Sequence, residues 1–233
     1  MVLAVGYTHK GKRKNNEDSF LICDNFAIVA DGMGGHSKGE VASSMAVEHI
    51  SSYLNETLKV SDSSIVEAIA QANRKIFDKA TADKLMEDMG TTVVMCYWNG
   101  NEVTVANVGD SRCYLYSDGK IKQITTDHSY VQSLVDSGEI TADEAEKRAD
   151  KNIILRAVGC EESVDVDTFR LSLKKGDKIL LCSDGLSGVV AIEDIEKIIR
   201  KKDKGKNVAQ LLVNKAIANG GADNITAVVV EFE

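Results

Sequence analysis

The chain has 233 residues, 43% of them apolar, and a formal net charge of −8. That apolar content excludes wholesale disorder, and the acidic balance excludes a general nucleic-acid binder, because a phosphate backbone would repel it. No apolar run is long enough to span a bilayer, and the opening MVLAVGYTHKGKRK has the wrong order of charged and apolar parts for a secretory leader; a cytoplasmic protein without a membrane partner is expected.

Strands open the chain: VLAVGYT, then SFLICD and FAIVAD joined by a turn at Asp24–Asn25. The spacing of Val41, Met45, Ala46, His49 and Leu54 predicts a helix from about Ser37. A second helix is expected after the Ser61–Asp62–Ser63–Ser64 cluster, which suits an N-cap, with Ile65, Ala68, Ile69, Ala72, Ile76 and Phe77 as its apolar stripe. TTVVMCYW and EVTVANVG flank Asn99–Gly100–Asn101 as a hairpin, and SRCYLYSDGKIKQIT repeats the pattern about Ser117–Asp118–Gly119. Residues 128–152 turn polar, charged and weakly helical, as a surface insertion would. DKILLCSDG then reads as a buried strand, helices follow over about 192–202 and 207–219, and NITAVVVEFE is a last strand. Without βαβ alternation a parallel doubly wound sheet is disfavoured. The expected fold is α+β: a four-layer αββα sandwich of two antiparallel sheets flanked by helix pairs. No proline and no low-complexity linker divides residues 1–233, so a single domain is expected.

Five widely spaced cysteines without a CxxC pair read as buried reduced thiols, not zinc ligands. The chemistry lies in the acids. FAIVA runs into Asp31–Gly32 and KILLCS into Asp184–Gly185, each after a strand expected to be buried on both faces. A carboxylate there is costly to desolvate unless it is paired or holds a cation. Asp118–Gly119, flanked by polar residues between two strands, reads as a plain turn. Glu17, Asp18, Asp110 and Asp223 stand at comparable junctions, and an oxygen-only set suits Mg²⁺ or Mn²⁺. Two such ions can activate a water and clamp a phosphoryl group.

Six segments then fall into a recognisable order: RKNNED (Arg13–Asp18), DGMGG (Asp31–Gly35), GTT (Gly90–Thr92), VGDSR (Val108–Arg112), CSDG (Cys182–Gly185) and GADNI (Gly221–Ile225). Together they resemble the protein phosphatase 2C-like family, and within it the bacterial serine/threonine phosphatases. The resemblance implies a binuclear Mn²⁺ or Mg²⁺ centre and hydrolysis of phosphoserine and phosphothreonine by direct attack of a metal-bridging water, with no phosphoenzyme. It implies that Asp31 bridges the metals, that the Gly32 carbonyl adds a ligand, and that Asp184 and Asp223 complete one shell. Glu17 would act through bound water with Asp18 behind it, and Asp110 with Asp184 matches a third metal site. Arg13 would bind the substrate phosphate, its guanidinium fork matching two oxygens. Residues 128–152 correspond to a flap beside the active site. Phosphorylated proteins, including a Ser/Thr protein kinase, are the implied partners of a monomeric enzyme.

The chain departs from the family pattern in three places. Where eukaryotic members carry a histidine in the glycine motif this chain has Met33, so His36 is the nearest candidate proton donor; a helix-start surface role or a metal-bound water are the alternatives. Only Lys12 separates Gly11 from Arg13, where relatives have two residues. The flap has Thr141–Ala142 in place of the usual prolines. A hydrolase of small phosphoesters, or a non-catalytic phosphopeptide-binding module on the same fold, are the competing readings; intact Asp31, Asp184 and Asp223 argue against the second. Cys182 lacks the CxxxxxR loop of a thiol phosphatase.

Overall fold

The computed structural model describes residues 1–34, 38–201 and 208–233. One sheet runs in the order β1 (Val2–His9), β11 (Ile225–Phe232), β10 (Lys178–Cys182), β7 (Arg112–Ser117), β8 (Lys120–Gln123). The other runs β2 (Asp18–Ile22), β3 (Phe26–Met33), β5 (Val93–Asn99), β6 (Glu102–Val108), β9 (Asp167–Ser172), with the two-residue β4 (Gly90–Thr91) beside the end of β3. The strands pair antiparallel in both sheets. Helices α1 (Lys38–Glu56) and α2 (Asp62–Ala82) cover the second sheet. The first is covered by α6 (Ile192–Ile199) and α7 (Val208–Ala218), preceded by the single turn α5 (Asp184–Ser187). The insertion carries α3 (Tyr130–Asp136) and α4 (Ala142–Ala145). The expected four-layer sandwich is the fold observed. No helix among the described residues is long and apolar enough to cross a membrane.

The period of two along each strand explains the layers. In β3, Phe26, Ile28 and Ala30 face α1 and α2, where they meet Ala46, Ile50 and Ile69. Ala27 and Val29 face the opposite way, into the space between the sheets, with Ile179, Leu181, Val228 and Val230. In β10, Leu180 and Cys182 turn outward to Leu212 and Val213 of α7. Strands covered on both faces read as continuous apolar runs, which is why β3 and β10 carry no alternation.

The N-cap of α2 is as expected: the Ser61 hydroxyl accepts from Ser64 N–H at 3.3 Å, and the Ser64 hydroxyl accepts from Ser61 N–H at 3.3 Å. The α1 stripe differs. Its buried face is Gly39, Ala42, Ser43, Ala46, Val47, Ile50 and Leu54, whereas Val41 and Met45 lie at its edge and His49 is only half-buried. Small residues let this helix sit close on β3, and they carry little weight in a hydrophobic pattern. Strand β9 was not anticipated: DTFRLS alternates half-buried and exposed positions along the edge of its sheet, so only Phe169 and Leu171 are apolar. Cys96, Cys113 and Cys182 are buried free thiols and Cys23 is half-buried, but Cys160 is exposed, because it lies in the loop after Gly159 and not in a strand.

Candidate active site

Strand alternation carries the inter-sheet face of β3 from Ala27 and Val29 to Asp31, so its carboxylate emerges where the two sheets end. Asp18 is the cross-strand partner of Asp31 on β2. Like charges directly opposite one another destabilise an antiparallel pair. Asp18 is buried; its Oδ2 accepts from the Ser183 hydroxyl at 2.8 Å and the Thr226 hydroxyl at 2.6 Å, while its Oδ1 has no partner. Burial pushes the Asp18 carboxyl up to about 7 against the pull of those hydroxyls, and the charges of Asp184 and Asp223 add to the rise. Asp31 is raised well above the usual carboxylate range, by burial first and then by Asp18, Asp184, Asp110 and Asp223. Burial, then Asp184 and Asp127, pushes Asp110 up to about 7. Asp184 is raised by burial and by Asp223. Asp18, Asp110, Asp184 and Asp223 therefore gather around Asp31, and burial with mutual repulsion holds Asp18, Asp31, Asp110 and Asp184 towards the protonated form.

The three Asp-Gly pairs use glycine for two different reasons. Asp118 and Gly119 have φ of 52° and 80° and join Ser117 to Lys120 of the β7–β8 hairpin, the turn expected of them. Gly32 and Gly185 have no such backbone. A Cβ at Gly32 would lie 2.0 Å from the Gly39 carbonyl oxygen, and one at Gly185 would lie 1.9 Å from that of Asn224. These glycines allow close backbone approach beside Asp31 and Asp184, seating one on α1 and the other on the strand that follows Asp223.

Several residues without an assigned role hold this centre in place. The Asp31 carbonyl accepts from Thr92 N–H and the Thr91 hydroxyl, each at 2.9 Å, and Asp31 N–H donates to the Thr92 hydroxyl at 3.0 Å. That hydroxyl lies 2.7 Å from the Ser111 hydroxyl, next to Asp110. Asn224, also buried, accepts from Glu17 N–H at 2.7 Å and donates to the carbonyls of Lys10 and Asn15 at 3.0 and 2.9 Å. It thus clips down the basic loop from which Arg13 reaches Asp223, at 2.8 Å. The GTT, GDS and ADN segments contained these hydroxyls and this amide, but neighbouring acids drew the chemical reading. His36 lies outside the described residues. Cys182 is no nucleophile: its side chain faces the apolar helix layer, and burial pushes the thiol up to about 12.

The donor set fits a hard divalent cation. It is all oxygen, it includes a buried carboxylate oxygen with no partner, and its members repel one another in the absence of a positive charge. Among the described residues, no three acidic, histidine or cysteine side chains are already drawn into a closed ligand cage. Asp223 turns to Arg13 instead, and Asp18 to its two hydroxyls.

Two packed antiparallel sheets between helix pairs place an acidic oxygen centre at the sheet ends, and similarity to known proteins assigns the chain to the metal-dependent phosphoric monoester hydrolases. The chain belongs to the protein phosphatase 2C family, whose model (Protein phosphatase 2C) matches residues 5–217, and it is a metal-dependent protein phosphatase. It is 40% identical over 235 residues to the serine/threonine phosphatase stp of Listeria monocytogenes, covering 96% of this chain and 93% of that protein. It is 37% identical over 221 residues to the serine/threonine protein phosphatase PstP of Mycobacterium tuberculosis, covering 94% of this chain and 42% of that longer protein. The crystal structure of M. tuberculosis PstP superposes with a TM-score of 0.94 at 34% identity, over 100% of this chain and 99% of the other. The PstP catalytic domain in complex with two manganese ions does so with a TM-score of 0.90 at 34% identity, over 99% and 97% of the chains.

Proposed function

We propose that this phosphatase acts on phosphoserine and phosphothreonine in proteins, a Ser/Thr protein kinase among them, as a monomeric single-domain enzyme of the bacterial cytoplasm. The observation that carries the site assignment is the facing Asp18–Asp31 pair with its partnerless Oδ1, ringed by Asp110, Asp184 and Asp223. In this reading Asp31, the Gly32 carbonyl, Asp184 and Asp223 hold two Mn²⁺ or Mg²⁺ ions. Asp110 and Asp184 hold a third, with Glu17 acting through water and Asp18 supporting from behind. When bound, such ions ease deprotonation of an attacking water and neutralise phosphoryl charge.

The protein's own groups supply position. Arg13 offers its guanidinium fork to two phosphate oxygens, and its ion pair with Asp223 keeps it aimed at the centre before substrate arrives. Asn224 fixes the loop that carries it. Thr92 and Ser111 tie the backbone of Asp31 to the loop of Asp110. Water attacks phosphorus as the bond to the serine or threonine oxygen breaks, and His36 is the proposed donor of the proton that this leaving oxygen takes up. The likeness to Mn²⁺-bound PstP supports the choice of metal.

A panel of phosphoserine, phosphothreonine and phosphotyrosine peptides and nucleotides, assayed with Mn²⁺ and with excess EDTA, tests the reading. Turnover of the first two, suppressed by EDTA, is expected. Full activity in EDTA, or turnover of nucleotides alone, would overturn it.

A further inference from the structure

The loop that carries Asp110 joins β6 to β7, and it starts on a residue with no stiffness of its own. Gly109 has φ of 105°, and a Cβ there would lie 2.6 Å from Thr92 Cγ2. A glycine peptide can take many directions unless its neighbours hold it. Here every polar group of Gly109 is taken. Its carbonyl accepts from His128 N–H at 3.0 Å and from Asn107 Nδ2 at 3.2 Å, and its own N–H donates to His128 Nδ1 at 3.0 Å. His128 thus holds Gly109 by backbone and side chain together. On the other side of Asp110, Arg112 forks onto Asp127, with Nε 3.0 Å from each carboxylate oxygen and Nη2 2.7 Å from Oδ2. The Asp127–His128 dipeptide therefore grips the chain both before and after Asp110.

The imidazole of His128 is itself held in one form. Gly109 N–H donates to Nδ1, so Nδ1 carries the lone pair and the ring proton sits on Nε2. Nε2 lies 3.2 Å from Oδ2 of Asp167, the first residue of β9. Arg156 Nη1 lies 3.1 Å from Nε2 and donates to Asp167 Oδ1 at 2.8 Å. Two donors cannot bond one another, so His128 and Arg156 each serve one oxygen of the same carboxylate. Against the effect of burial, they hold the Asp167 carboxyl below its usual range, which keeps it an acceptor. Asp167 is anchored in turn by the β6–β9 ladder, opposite Asn107. The His128 side chain is only 8% exposed. A leucine would fill the same space, but it could not accept from Gly109.

We infer that His128 is a positioning residue: its imidazole, oriented by Asp167, sets the Gly109 peptide and so aims the Asp110 carboxylate at the metal centre. This rests on the reading of Asp110 as a metal ligand given above. The Asp167–His128 pair acts on the backbone of the ligand residue and touches no metal. Groups that orient a ligand in this indirect way commonly govern metal affinity or activity by about ten- to a hundredfold.

The test replaces His128 in three ways. It reads Mn²⁺ binding by calorimetry on the metal-stripped protein, and separately the Mn²⁺ dependence of p-nitrophenyl phosphate turnover. His128→Gln can reach Asp167 but offers Gly109 no acceptor, and His128→Leu serves neither partner. His128→Asn places its amide oxygen where Nδ1 stood. Calorimetry of the parent should resolve three sites. The glutamine and leucine variants should bind Mn²⁺ about tenfold more weakly at the weakest of them, need about tenfold more Mn²⁺ for half-maximal turnover, and keep the other two sites. Asparagine should recover most of both losses, which a role in packing alone would not allow. In an Asp110→Ala background His128→Gln should cause no further loss, because it acts through that carboxylate. A leucine variant that fails to fold leaves the contrast between asparagine and glutamine to decide. Additive losses in the double variant, an asparagine variant as impaired as the glutamine one, or three unaltered sites in the glutamine variant would each overturn the inference. Those outcomes leave the metal-site reading standing. A parent that binds no Mn²⁺ would overturn both.

Discussion

Replacing Asp18 with asparagine perturbs the centre without changing its shape, and its stabilising effect should grow with pH. The native carboxyl is 7% exposed and is raised from 3.8 to about 7. Between those values the unfolded chain releases the proton while the folded protein keeps it, so stability falls as pH rises through the window and the loss is complete above it. At 1.36 kcal/mol per unit, the ionised side chain costs the metal-free fold about 4 kcal/mol at pH 8. An amide oxygen can still accept from Ser183 and Thr226, losing about 1 kcal/mol at each bond that was charge-assisted. Asp18→Asn should therefore stabilise the EDTA-treated protein by about 2 kcal/mol more at pH 8 than at pH 5.5, a difference of about 4–8 °C between the two shifts in Tm. Saturating Mn²⁺ should raise the Tm of the parent more than that of the variant. Thermal melts by circular dichroism at the two pH values measure all of this. A variant less stable than the parent by the same margin at both would refute the reasoning, since the carboxyl would then be a satisfied structural acceptor.

Arg13→Ala should raise KM for phosphopeptides about tenfold and change kcat little, because the lost contact is to a phosphate group held before and during reaction; an unchanged KM would reassign phosphate binding. Its stability cost should stay under about 1 kcal/mol, as expected for an exposed ion pair. Asn224→Ala removes three partly buried hydrogen bonds, so trypsin should cut within residues 10–14 much faster than in the parent, with KM rising in parallel. An equal cleavage rate would mean that the loop is held by other contacts. Gly32→Ala should unfold the protein or abolish activity, since its Cβ meets the Gly39 carbonyl. Gly119→Ala, at a true turn, should cost only about 1 kcal/mol and leave activity intact; equal effects at the two positions would remove the distinction between them.

Much of this architecture was legible from the residues. The doubly buried strands β3 and β10 announced themselves as unbroken apolar runs, and the acids that ended them were conspicuous because burial makes a carboxylate expensive. Three kinds of feature were not legible. Edge strand β9 buries too little to leave an alternating signal, and α1 contacts the sheet through Gly39, Ala42, Ser43 and Ala46, which hydrophobicity undervalues. The bonds of Thr92, Ser111 and Asn224 join segments far apart in the chain, so no local pattern encodes them. Asp18 was placed among the metal-supporting residues, but its facing partner Asp31 and its two hydroxyl donors emerge only from strand register and sheet packing.

Strand β1 pairs along its length with β11, from Val2 opposite Phe232 to His9 opposite Ile225. A ribosome therefore makes one half of this pairing more than two hundred residues before the other, and the basic loop waits equally long for Asn224. The helices α1 and α2 and the hairpin of β5 and β6 can form on the emerging chain, but the acidic centre cannot assemble until β11 arrives. Activity thus waits on β11: a growing polypeptide carries Asp31 and Arg13 early, yet has no competent site until that strand has been made.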